Sequence, residues 1–217
     1  MQQRLKTFLT TIAALLTAAS SNAQTSTEPH IVKTYMVDNL FKAECEYLAA
    51  DTSVRDGHYT LSYRGNVIED GYYSNGRKVG EWQFWNLQKL VELKFDYTQK
   101  QPTYILPHYG HDYDQLNYPC IFLGSPLVPF YYITNRVYFP KSEGMKNKSG
   151  KVVLSLRINA KGWIVGTSIK SATSEAFASV VRQAANQIPK DKWRWIPARH
   201  NGKRVSDNYD ITIMFEK

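Results

Sequence analysis

The sequence predicts an α+β chain: an antiparallel β-meander, then a layer built in the order strand, strand, helix, strand. Three observations predict it. Short apolar–polar alternations recur between Asp56 and Tyr97, separated by glycine-containing turns. A longer alternation opens at Gly150, reverses at Asn159-Ala160-Lys161-Gly162, and gives way to helical spacing after Ser174. A last alternation, Tyr209 to Phe215, closes the chain.

The bounds agree with that class. A chain of 217 residues holds one large domain or two small ones, and 43% hydrophobic content is globular. Beyond the N-terminus no apolar run approaches the roughly 20 residues that span a bilayer. The net charge is +8, from 27 basic and 19 acidic residues, and it is scattered. A nucleic-acid face needs a concentrated basic stripe. The nearest candidate, Lys190 to Lys203, is short, which argues against a nucleic-acid partner.

Met1 to Ala23 reads as a signal peptide. Arg4 and Lys6 precede an apolar run from Phe8 to Ala19, and Ser21 and Ala23 fit the small positions of a cleavage site. Cleavage after Ala23 makes Gln24 the new N-terminus and lowers the net charge to about +6. The alternative is an uncleaved anchor, for which the run is short. Both cysteines, Cys45 and Cys120, lie in the exported part. An oxidising compartment permits a disulfide between them; two buried free thiols are the alternative.

Residues 24–55 form an N-terminal segment in which Phe41 to Ala50 reads either as a short helix or as a strand. From 56 to 97 the texture changes. Asp56-Gly57-His58-Tyr59 recurs as Asp70-Gly71-Tyr72-Tyr73, and Asn75-Gly76 is a strong hairpin signal, with Arg64-Gly65-Asn66 a weaker one. Trp82, Phe84 and Asn86 alternate with Glu81, Gln83 and Trp85. Val91, Leu93, Phe95 and Tyr97 alternate with Glu92, Lys94 and Asp96. Residues 98–137 are rich in Tyr and Pro. Their prolines forbid a long helix or central strand, yet the apolar content is too high for a free tether, so an ordered, extended connector is expected. Within it His108, His111 and Asp112 carry metal-ligating groups. A metal needs a third or fourth ligand that the sequence does not supply, and Pro107 and Gly110 work against a helix that would align the histidines. No metal or cofactor is expected.

In the last third, Val152, Leu154, Leu156 and Ile158 share one face of a strand. Trp163, Val165, Thr167 and Ile169 alternate on the return strand. Ser174 caps a helix carrying Phe177, Val181, Ala184 and Ile188 on one face, and Pro189 ends it.

Two resemblances attach to these residues. Tyr73-Ser74-Asn75-Gly76-Arg77-Lys78-Val79-Gly80-Glu81-Trp82 resembles a bacterial MORN-like repeat of the YwqK type, with a looser copy from Tyr63 to Tyr73. That implies an interaction or scaffold role. Residues 138–217 resemble the C-terminal domain of TonB. Tyr138-Phe139-Pro140, Gly150-Lys151-Val152, and the signature Trp195, Pro197, Ala198, Asn201, Gly202 and Lys203 carry the likeness. The resemblance implies that an extended peptide adds to an exposed sheet edge. The strand bearing Tyr209, Ile211, Ile213 and Phe215 is the nominated edge.

The expectation is therefore a non-catalytic periplasmic adaptor. Its partner is an envelope protein or peptide, an outer-membrane transporter among the candidates. A TonB-type energy transducer with an uncleaved anchor is the alternative, and the absent Pro-rich rod counts against it. An envelope hydrolase is a second alternative, but the chain shows no Gly-x-Ser-x-Gly elbow, His-Glu-x-x-His or phosphate loop.

Overall fold

A computed structural model describes residues 28–107, 113–140 and 148–216. The first part is one seven-stranded antiparallel meander, each strand bonded to the next in sequence. Its strands are β1 (His30–Val37), β2 (Phe41–Leu48), β3 (Arg55–Tyr63), β4 (Asn66–Ser74), β5 (Arg77–Trp85), β6 (Val91–Asp96) and β7 (Gln101–Ile105). The turns are made by residues that tolerate positive φ. Arg64 and Gly65 lie at 47° and 78°, and Asn75 and Gly76 at 48° and 76°.

The sheet is larger than residues 56–97. Phe41 to Leu48 is a strand, not a helix, and it buries Phe41, Ala43, Cys45 and Tyr47 on one face. Small Ala43 and Cys45 made that alternation faint in the sequence. At the other end β7 takes Pro102, which an edge strand can accommodate because one side of its ladder is unpaired.

The described part of the connector is not simply extended. After β8 (Ile121–Phe122) comes a helix, α1 (Leu127–Thr134). Pro129 sits in its first turn, where a missing N–H costs little.

The second part follows the order strand, strand, helix, strand. Strands β9 (Gly150–Ile158), β10 (Ile164–Ala172) and the last strand, β14 (Asp207–Phe215), make an antiparallel sheet in the order β10-β9-β14. Helix α2 (Glu175–Ala185) packs on it through Phe177, Ala178, Val181, Ala184 and Ala185. Ser174 caps it, accepting a hydrogen bond from the Phe177 N–H. Between α2 and β14 lie three short strands: β11 (Trp195–Ile196), β12 (Ala198–His200) and β13 (Lys203–Val205).

On β10 the alternation differs from the sequence reading. Ile164 is buried while Trp163 and Val165 are exposed, because the register slips between Ile164 and Gly166. A bulge there reverses the facing of the residues beyond it.

The two parts are joined by packing. Leu127 of α1 and Ile196 of β11 belong to the core of the seven-stranded sheet, and Val128 packs against both cores. Tyr63 of β3 stacks on Tyr131 of α1 at 4.2 Å. Ser125, fully buried, donates its N–H to Glu69 Oε1 (3.0 Å) and its hydroxyl to the Trp85 carbonyl (2.7 Å). Burial pushes the Glu69 carboxyl pKa up, and the Lys78 charge and the Ser125 N–H oppose that shift.

Candidate functional site

Strand β14 is where the second sheet ends. It pairs with β9 along its whole length, Asp207 with Ile158 through Phe215 with Gly150, and it is one of the two edge strands, β10 being the other. Its alternation is set by chemistry. Ile211, Ile213 and Phe215 are buried against α2 and β9, with Tyr209 packed beside them. Phe215 stacks on Phe177 at 4.2 Å. Asn208, Asp210, Thr212 and Met214 face outward. Asp210 accepts from Ser155 (2.7 Å) and from the Lys170 ammonium (2.6 Å), so one carboxylate ties all three strands on their outer face.

The residues from Tyr209 to Thr212 also form one wall of a groove of about 490 Å³. Its other walls come from elsewhere: Leu87 and Leu90 from the turn between β5 and β6, and Leu127 and Phe130 from α1. That turn is held from within. Asn86 Oδ1 accepts the N–H groups of Gln88 and Leu90, both at 3.0 Å, and Lys89 takes φ 60°. Leu87 and Leu90 are thereby held 55% and 52% exposed, apolar residues a solvated turn has no need of. Burial, and then the Glu92 carboxylate, push the Tyr209 hydroxyl pKa up.

The signature residues lie apart from this edge and build the junction. Trp195 and Ala198 are buried, and Trp195-Ile196 pairs with β8 of the connector. Asn201 (φ 49°) and Gly202 (φ 75°) turn β12 into β13, where Lys203 pairs with His200. The turn is clamped from outside, since Asn201 N–H donates to Asn117 Oδ1 and Gly202 N–H to the Leu116 carbonyl. Pro197 leads from β11 into β12.

Cys45 and Cys120 are both free and buried. They sit in different cores, Cys45 in that of the seven-stranded sheet and Cys120 in that of the second part. Burial pushes both thiol pKa values up. His108, His111 and Asp112, and the proposed cleavage site at Ala23, lie outside the described residues. Among the described residues no group of three His, Cys, Asp or Glu side chains is placed to hold a metal, and no helix is long and apolar enough to cross a membrane.

The sequence nominated β14 but missed the groove. Leu87, Leu90, Leu127 and Phe130 come from two distant segments, and exposed leucines in a turn were the one signal available.

A three-stranded sheet covered on one face by a helix leaves β14 as an edge to which an extended segment can add. Residues 135–216 match the family described as the Gram-negative bacterial TonB protein C-terminal, a non-catalytic domain of the cell envelope. The match starts at the end of α1 and takes in β9, β10, α2 and β14. Comparison with curated proteins gives no match.

Proposed function

We propose that the protein is an exported adaptor of the Gram-negative envelope that captures an extended segment of a partner along β14. The observation that carries this reading is the open side of β14 beside an apolar groove. A strand added there gains main-chain hydrogen bonds, and its alternate side chains reach the groove. Tyr209, Ile211, Ile213 and Phe215 hold the edge in place from the core side, and Leu87, Leu90 and Phe130 receive the guest's apolar residues. The signature residues Trp195, Pro197, Ala198, Asn201, Gly202 and Lys203 shape the junction instead of touching the guest.

The seven-stranded sheet serves as a MORN-like scaffold whose β5–β6 turn completes the groove. The partner is an envelope protein, an outer-membrane transporter among the candidates. The protein has no catalytic role and works without energy coupling, because Met1–Ala23 is removed on export.

Intact mass and fractionation of the protein expressed with its own N-terminus test this reading. A soluble periplasmic species beginning at Gln24 is expected. A full-length species in the inner membrane overturns the adaptor in favour of an anchored transducer.

A further inference from the structure

The two large sheets present four edge strands among the described residues: β1 and β7 on the first, β10 and β14 on the second. An edge strand offers a row of unpaired N–H and C=O groups, and proteins usually blunt it with shortness, proline, a bulge or a charge. Strand β7 is five residues long and holds Pro102. Strand β10 is bent by register slips after Ile164 and after Ile169. Strand β14 adjoins the groove described above. Strand β1 has none of the usual devices. All eight of its residues pair with β2 without a slip, and none is a proline.

Its single lysine does not guard it either. Lys33 Nζ donates to the Thr52 carbonyl (2.6 Å) and lies 4.7 Å from the centre of the Tyr47 ring. The charge is thereby drawn inward, over β2 and the turn that follows it. What remains outward is mostly apolar. Val32 is 66% exposed and Met36 56%, with Thr34 exposed between them, and Ile31 on the other face is exposed as well.

We propose that β1 is a self-complementary interface, at which two copies of the chain pair antiparallel about a two-fold axis through Thr34. Such a contact needs one surface that fits itself. For the two sheets to join with their core faces on one side, even-numbered residues must meet even-numbered ones, and odd meet odd. On the outer face Val32 then meets Met36 of the second copy, and Thr34 meets Thr34. On the core face Ile31 meets Val37, and Lys33 meets the Tyr35 ring, so no charge faces its like. Moving the axis to Lys33 sets two ammonium groups opposite each other, and moving it to Tyr35 shortens the ladder. The strand fits itself in one register, which makes a second copy the occupant. The pairing also closes on itself, because each copy uses up its β1 edge. No residue of β1 lines the β14 groove, so a dimer keeps both of those edges free.

Sedimentation velocity of the whole protein over a range of concentrations tests the proposal. A reversible species of twice the chain mass is expected. Val32→Lys brings a charge into the pairing twice per dimer and should weaken it at least about tenfold. Val165→Lys, at a 56% exposed site on β10, should leave it unchanged. Cysteine variants read the register. A short bismaleimide should join Thr34→Cys chains, which meet on the axis, and join Met36→Cys chains far more slowly. Circular dichroism melts check that each variant folds, and the Thr34→Cys linkage decides the matter if Val32→Lys does not. A monomer at every concentration, a larger assembly, a dimer that survives Val32→Lys, or linkage no faster from Thr34→Cys than from Met36→Cys overturns the proposal.

Discussion

Replacing Gly71 with alanine tests the packing of the seven-stranded sheet. A Cβ at Gly71 would lie 2.2, 2.3 and 2.4 Å from Cδ2, Cε2 and Cγ of Trp82. Carbon atoms prefer about 3.5–4.0 Å, so the ring would have to retreat by more than 1 Å. It has nowhere to go. Trp82 is fully buried, donates to the Tyr72 carbonyl, stacks on Tyr59 at 5.3 Å and carries the Lys78 ammonium 3.8 Å above its face. Overpacking costs about 1–3 kcal/mol and the indole hydrogen bond about 1 kcal/mol, so a loss of about 3 kcal/mol is expected. In a chain of this size that lowers Tm by roughly 6–12 °C. Gly65→Ala is the control. Gly65 has φ +78° with nothing within 4 Å of a new Cβ, so backbone strain alone costs about 1 kcal/mol and about 2–4 °C. Thermal melts followed by near-ultraviolet circular dichroism read both. A Gly71→Ala protein that melts with wild type, or above Gly65→Ala, refutes the reasoning.

Other predictions follow from the junction, the thiols and the acids. Ser125→Ala removes a buried hydroxyl that bonds the Trp85 carbonyl, and urea unfolding should show a loss of about 1–2 kcal/mol. An aromatic disulfide reagent should find no reactive thiol in the folded protein and two after unfolding; a single-step reaction without denaturant contradicts the burial of Cys45 and Cys120. Asp56 accepts the Asn75 N–H (2.8 Å) and bonds His30 (2.9 Å), and these bonds hold its carboxyl below the ordinary aspartate range. A depressed carboxyl stabilises the fold fully above its unfolded value of about 3.9 and loses that contribution as pH falls through the folded value. Melts of wild type and Asp56→Asn should therefore differ most above pH 4 and converge below it.

Much of this fold was readable from periodicity. Val152, Leu154, Leu156 and Ile158 alternate without interruption, and all four are buried. Ser174 and Phe177 mark the start of α2, and Asn75-Gly76 marks its hairpin because few other pairs accept two positive φ angles. The misses have physical causes. Ala43 and Cys45 hide a strand because small residues carry little hydrophobic signal. A bulge, invisible to a period-2 count, turned Ile164 inward in place of Trp163 and Val165. Helix α1 was lost among prolines, although Pro129 lies in the one turn that tolerates it. The groove beside β14 was out of reach for a different reason. Leu87, Phe130 and Tyr209 meet only through tertiary packing, which no local pattern encodes.

Site-specific photo-crosslinking in a Gram-negative envelope tests the role of β14 most directly. The probe is placed in turn at Thr212 on β14, at Leu90 on the groove rim, and at Val165, 56% exposed on the opposite edge strand. The same partner should cross-link from Thr212 and Leu90 and not from Val165. Capture from Val165 alone, or equally from all three, would contradict a partner strand seated on β14.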